Sequence, residues 1–554
     1  MRKQAIGLAG MLGVAALAAC SDPLNVKNVD NPDVDRAYSS PALIEQIIST
    51  TFQQIHAGIH GSSDALNPQM QVLSFESYGS VANFGMGARA SMPRGVLSNQ
   101  RNNITQAGNN RDFSTLSRRA REAANAVAAL DRVFANGGTL GQPGGNNTGL
   151  NNRVRAFGLF SNGVALGNLA LSYDSAAIVT QAVPSDEIPP LSPYTEVMQA
   201  ALAQLDSAYN LAALPATATG FPLPTTYFNG NAFTQDQFLR IIRSFRARFR
   251  ANVARTPAER AAVDWTAVIA DAEAGIQSNL VVQLSSAAGW TLTWLGSQMF
   301  ADDSRGWHQM PMMVYGMADT SGAYDAWIKT PLSDRDRFLV KTPDKRFPSG
   351  ETRDEQRANS PANAAFAYDK YPYIRNRSGQ DTPGQPFGNS YYDFYRFKAV
   401  HLANVSGPWV EMPKAETDML AAEGHIRKGN FAAAVAIIDK YRTGAGLPAL
   451  GNITSLTQPV PGGNACVPRV PTSAGNATQC GNIMEAMKWE KRMETAFTGY
   501  GQWYFDARGW GDLAEGTNIH WPVPYQELDS RQMPIYDIGG IGGVAAAPKG
   551  TYGF

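Results

Sequence analysis

The segment from Pro413 to Gly446 constrains the fold of this 554-residue chain more than any other. Ala415, Met419, Ala422 and Ile426 recur at helical spacing. Phe431, Ala434, Val435, Ile438 and Tyr441 do the same after Lys428-Gly429-Asn430. Apolar residues at such intervals form one stripe along a helix, and the stripe must be buried against another element. So short a connection turns the second helix back along the first. The expected product is an antiparallel helix hairpin, stopped by Gly444 and Gly446. A unit of this size cannot bury its stripe alone and stacks on further units like itself.

Helical patterns also precede it. Ser40-Pro41 opens a helix with Ile44, Ile47, Ile48, Ile55 and Ile59 on one face, and Gly61 ends it. Further helices are predicted over Ser117–Phe134 and Val154–Tyr173, the latter with Gly167 among small and apolar residues that permit close packing. Another starts at Ser192-Pro193 and carries Val197, Ala201, Leu205 and Ala208. The next bears Phe238, Ile241, Ile242, Phe245 and Phe249, together with five arginines between Arg240 and Arg250. Asp264 caps a shorter one, Trp265–Ile276, and a last helix is predicted over Ile483–Phe497. The segments 117–173 and 192–250 read as looser versions of the 413–446 hairpin. Between 281 and 407 the helical period fades into Pro, Gly, Asp and aromatic residues, which predicts short strands and long loops. The fold class expected is mainly α, with tetratricopeptide-like helix pairs in regions 40–280 and 408–554 and a loop-rich insertion over 281–407.

The N-terminus reads as an export signal. Arg2 and Lys3 precede an uncharged, mostly apolar run from Ala5 to Ala19, and Leu17-Ala18-Ala19-Cys20 closes it. The run is too short to span a bilayer, which takes about 20 residues. A cysteine at the cut resembles a lipobox, so residues 1–20 are expected to form a lipoprotein signal with Cys20 acylated. Residues 21–39, polar and broken by prolines, are expected to be a tether. Acyl chains contribute about 0.8 kcal/mol per buried CH2, enough for several chains to hold a protein on a membrane.

Charge is balanced, with 47 basic and 47 acidic residues, and no basic stripe appears; a nucleic-acid partner is not expected. With Cys20 acylated, Cys466 and Cys480 remain, flanking one Gly/Pro/Asn-rich loop. A disulfide closes that loop in an exported protein, the alternative being two separate thiols. His56 and His60 share a helix face but lack a nearby third ligand in the sequence, so they are expected to be solvated, and no metal or cofactor is expected. Phosphate-loop, nucleophile-elbow and zinc-cysteine patterns are missing. Glu490, Arg492, Glu494, Asp506 and Arg508 form a dense charged set, read as a salt-bridged helix end and not as a catalytic carboxylate pair. The arginine-rich helix is expected to be a solvated face with some packed stems.

Several stretches resemble the SusD/RagB family of outer-membrane nutrient-uptake lipoproteins. They are Ala415–Glu423 (AETDMLAAE), Ala432–Leu450 (AAAVAIIDKYRTGAGLPAL), Glu490–Gly511 (EKRMETAFTGYGQWYFDARGWG) and Trp521–Pro524 with Glu527-Leu528. Asn31-Pro32-Asp33 to Tyr38 fits the family's opening, and Leu332–Arg337 (LSDRDR) lies near its "DPR". Thr498 and Gly501-Gln502 depart from the family's pattern. The resemblance implies an α-α superhelix of four tetratricopeptide-like pairs carrying a variable loop-rich region. It also implies a surface-exposed lipoprotein of the outer membrane, without enzymatic activity. Its partners would be an oligosaccharide or peptide ligand and a SusC-like TonB-dependent transporter. Competing functions are a lipid-anchored glycosidase or peptidase and a tetratricopeptide-type protein scaffold. Aromatic rings in the insertion could stack on the apolar face of a sugar; Trp294, Trp307, Tyr315 and Trp327 are the candidates.

Overall fold

A computed structural model of the chain describes residues 38–79, 86–103, 107–142, 144–294, 308–361, 370–377 and 390–554. Cys20, Trp307, the signal and nearly all of the tether lie outside these residues. The first helix, α1 (Pro41–His60), starts on Pro41; Ser40 is extended at its N-cap but its side chain accepts no capping bond. Then come α2 (Ala107–Ala135), α3 (Thr148–Ser172), α4 (Tyr194–Ala213), α5 (Gln235–Asn252) and α6 (Trp265–Glu273). Each helix packs on the one before it, α1 on α2 and so on to α6, so the chain advances as a stack of antiparallel neighbours.

Two local chemistries set these boundaries. Thr234 and Gln237 form a reciprocal capping box at the start of α5, and Asp264 accepts from the backbone N–H of Thr266 and Ala267 at the start of α6. The other is the close approach at α3. Gly163 faces Leu205 of α4, where an added β-carbon would lie 2.9 Å from Cγ, and Gly167 lies directly under the ring of Phe249 in α5. Replacing Gly167 by Val is expected to cost about 2 kcal/mol by overpacking this contact, read as a lower urea midpoint at unchanged slope.

α2 begins ten residues before the start predicted at Ser117. Its first turns carry Asn109 and Asp112, polar residues that suggest a loop, yet both are buried. Asn109 Nδ2 donates to the Pro522 carbonyl, and Asp112 accepts from Tyr500 Oη at 2.9 Å and from the Leu66 backbone N–H at 3.2 Å. Partners four hundred residues away support this part of the helix.

After α6 the chain leaves the stack on β1 (Leu280–Leu284) and returns on β2 (Gly407–Met412), which pairs antiparallel with it. The strand pair closes the root of the excursion. Within the excursion lie short strands, as expected, but also short helices at 312–315, 323–329, 353–358 and 398–402. The stack then resumes with α7 (Lys414–Arg427), α8 (Phe431–Gly444), α9 (Ile483–Thr495) and α10 (Gln502–Trp510). α7 packs against α6 across the excursion and against α8 and α9. Met419, Ala422 and Ile426 of α7 meet Ala434 and Ile438 of α8 in a small core shared with Ile483 and Met487 of α9.

Buried ion pairs fix how these helices meet. Arg248 of α5 forks onto Glu416 of α7 at 2.6 and 2.7 Å, and Arg260 forks onto Glu423 at 3.0 and 2.6 Å. Both glutamates of the AETDMLAAE stretch are thereby consumed in structure. The arginine-rich face of α5 is largely paired too: Arg243, Arg246 and Arg250 converge on Asp271, and Arg240 pairs with Asp236. Among the described residues, no helix is long and apolar enough to cross a membrane.

Candidate functional site

The site is a cleft of about 290 Å3 where four chain segments converge. The excursion contributes Met313, Leu332 and Arg335; the turn at Met92-Pro93 and the C-terminal tail, with Ile541, Lys549 and Phe554, complete it. Gly475 supplies the remaining wall, at the tip of a hairpin made by β3 (Arg469–Pro471) and β4 (Thr478–Cys480).

The hairpin is held at its base. Cys466 and Cys480 are joined in a disulfide, which closes this Gly/Asn-rich segment and restricts it before folding. Arg469 Nε donates to Asp325 Oδ2 at 2.9 Å, tying the hairpin to the 323–329 helix. That helix presents Trp327, whose ring stacks on Tyr324 at 5.9 Å and lies under the Arg335 guanidinium at 4.6 Å.

Arg335 is set by its own neighbourhood. Its Nε donates to the Thr330 carbonyl at 3.0 Å and Nη2 to the Ile328 carbonyl at 2.9 Å; Nη1 meets only the Met313 thioether, at 3.8 Å. The residue is 7 % exposed, and burial pushes its guanidinium below the ordinary arginine range. Lys549 is exposed on the tail, and Glu515 is the one acidic side chain among the described residues of the cleft.

Three of the four aromatic candidates do not face solvent. Trp294 is fully buried, donates from Nε1 to His60 Nδ1 at 3.3 Å and meets Trp409 edge-on at 6.0 Å. Tyr315 is fully buried, donates to the Glu76 carbonyl at 3.0 Å and packs on Trp503 at 5.6 Å. Trp327, 5 % exposed, supports Arg335 from below. The stacking role expected of them is corrected: these large rings fill the space beneath the excursion's loops. Trp307 lies outside the described residues. Sequence reasoning did not single out Arg335 as a site residue; its signal was the LSDRDR stretch.

His56 and His60 are also corrected, since both are buried. His56 Nδ1 lies 2.9 Å from Glu411 Oε2 on β2, so a carboxylate 355 positions away completes a group whose ligand atoms lie within 4.8 Å of one another. Its chemistry suits hydrogen bonding better than metal ligation. His60 Nδ1 faces two donors, Trp294 Nε1 and Asn67 Nδ2, each at 3.3 Å, which places the proton on Nε2 and leaves that nitrogen no lone pair for a cation. Burial and the neighbouring His56 push His60 down to about 3, so it stays neutral.

The charged motif of the C-terminal region builds structure. Glu490 and Glu494 of α9 converge on Arg346 at 2.9 and 3.2 Å, Asp506 takes Lys491 at 2.8 Å, and Arg508 donates to the carbonyls of Leu171, Ile519 and Asn252. None of these residues lines the cleft.

No protein-family profile and no curated protein matches the chain. Solved structures do. A SusD superfamily protein from Bacteroides thetaiotaomicron superposes with a TM-score of 0.54 at 13 % identity, covering 90 % of this chain and 98 % of that one. The surface glycan-binding protein A from Bacteroides uniformis gives 0.53 at 14 % identity, with 89 % and 98 % covered. A SusD superfamily protein from Bacteroides vulgatus gives 0.52 at 14 % identity, with 89 % and 97 % covered. At such identities the likeness concerns architecture, and it runs through both helical regions and the excursion between them: this chain has the SusD-like fold.

Proposed function

We propose that the protein is a lipid-anchored, non-enzymatic carbohydrate-binding protein of the outer membrane, which passes its ligand to a SusC-like TonB-dependent transporter. The observation that carries the reading is the SusD-like architecture over about nine-tenths of the chain, shared with a surface glycan-binding protein. The cleft adds chemical support. It joins an aliphatic floor to a few polar groups, as sugar sites do, because a pyranose has apolar faces and a hydroxylated rim. Its single described acidic side chain, Glu515, is one short of the pair that glycosidases use to flank the scissile bond. The lipobox-like Leu-Ala-Ala-Cys20 supports the anchor.

The direct test is affinity electrophoresis of the mature chain through a panel of polysaccharides. Retardation by one or more of them, with no new reducing ends after long incubation, is the expected result. Reducing ends that scale with protein amount would instead show a hydrolase. Cys20→Ala is expected to move the full-length protein from the detergent phase to the aqueous phase with an unchanged melting curve. Detergent extracts of the wild type should co-purify a large barrel protein. Continued membrane retention of the variant would rule out the anchor.

A further inference from the structure

We propose that the ligand of the cleft is an acidic glycan, whose carboxylates are read by Arg335 and Lys549. The inference rests on the glycan-binding reading above and adds the chemical class.

Several buried arginines elsewhere in this protein are met by carboxylates, Arg248 by Glu416, Arg260 by Glu423 and Asp506, Arg346 by Asp344, Glu490 and Glu494, whereas Arg508 is met by backbone carbonyls. Arg335 has no carboxylate within ion-pair distance among the described residues, and carbonyl oxygens take only two of its nitrogens. A desolvated cation without an anion is costly, so such a group normally has a partner. Here the guanidinium borders an open cleft, and its Nη1 turns toward the thioether of Met313, another lining residue.

The geometry is also preorganised. Trp327 supports the guanidinium plane, and the Thr330 and Ile328 carbonyls fix its rotation, so little side-chain freedom remains to be lost on binding. Lys549, on the tail, adds a second cation with no hydrogen bond or ion pair to any described residue. Glu515 is the one acidic side chain of the described lining, against these two basic ones. Met92, Leu332 and Ile541 supply the apolar surface on which a sugar ring can rest. An arginine fork beside an apolar floor suits a hexuronate, which has a carboxylate on one edge and an apolar face.

The test runs the mature protein through gels containing polygalacturonate, alginate, their carboxyl-reduced forms and a set of neutral polysaccharides. At least one carboxylated polymer is expected to retard it, its carboxyl-reduced form should not, and higher salt should weaken the effect. Arg335→Gln is expected to lower the affinity about 30-fold, the loss typical when one member of a buried charge pair is truncated. Because Arg335 also holds two carbonyls, Lys549→Gln serves as a second variant on the exposed tail; it should weaken binding several-fold with an unchanged melting curve. Retardation by neutral polymers only, or by acidic polymers equally in both variants, overturns this inference and leaves the glycan reading standing. Retardation by no polysaccharide at all sinks both.

Discussion

Replacing Arg346 by Met is expected to destabilise the protein by about 3–5 kcal/mol, the cost of breaking a buried ion cluster by removing one partner. Arg346 is fully buried and faces three carboxylates: Asp344 at 2.8 Å, Glu490 at 2.9 Å and Glu494 at 3.2 Å. Arg442, 3.6 Å from Glu490, and Arg396, 3.2 Å from Glu494, complete the set, so three cations balance three acids. The Met side chain fills much of the volume but leaves one negative charge in excess away from water. The cluster joins the excursion to α9, so its loss should loosen the excursion before the helical stack. Denaturant melts followed by tryptophan fluorescence would read the global cost. Hydrogen exchange should show greater loss of protection over 374–376 and 392–394 than over α3. Adding Glu490→Gln to the variant is expected to recover part of the stability, because the surplus charge is then gone. An Arg346→Met protein as stable as the wild type would mean that the cluster is neutralised by protons.

The cluster also shows what the sequence could and could not convey. Glu490 and Glu494 were legible as a structural charged set, because they lie four apart on one amphipathic helix. Their cation was not, since Arg346 sits in the excursion 144 positions from Glu490. The helices were legible for the same reason: a 3.6-residue period is a local property, and α1, α5, α7 and α8 were all readable from it. Where polar residues were buried against distant segments, the reading failed. Asn109 and Asp112 lie in α2 ahead of the start predicted at Ser117, and His56 and His60 looked solvated until Glu411 came in from β2. The candidate site was the least legible part. Composition located the aromatics of the excursion but not their exposure, and burial depends on what folds over them. The cleft itself needs the tail, the stapled hairpin and the Met92-Pro93 turn, segments hundreds of residues apart.

Glu76 carries the second large expectation, and its sign depends on pH. The residue is 3 % exposed, and its carboxyl accepts from the backbone N–H of Phe497, with no ion pair to any described residue. Burial raises it from the ordinary 4.5 to about 8, an effect the Phe497 hydrogen bond only partly opposes. Between those two values the native state holds a proton that the unfolded chain has released, so stability falls as pH rises from about 4.5 through about 8 and levels off above. Gln has the same shape, still accepts from Phe497 and carries no charge. Glu76→Gln is therefore expected to change little at pH 4 and to stabilise the protein by up to about 5 kcal/mol at pH 9, since each tenfold change in proton affinity is worth about 1.4 kcal/mol. Asp112 and Glu490, each raised to about 7 chiefly by burial, impose a decline of the same sign, so the wild type alone cannot isolate Glu76. The informative quantity is the difference between variant and wild type in urea midpoint, measured at pH 4, 6 and 9. A difference that grows across this range places the proton on Glu76, whereas a constant one would mean that its proton affinity is the same in the folded and unfolded chain.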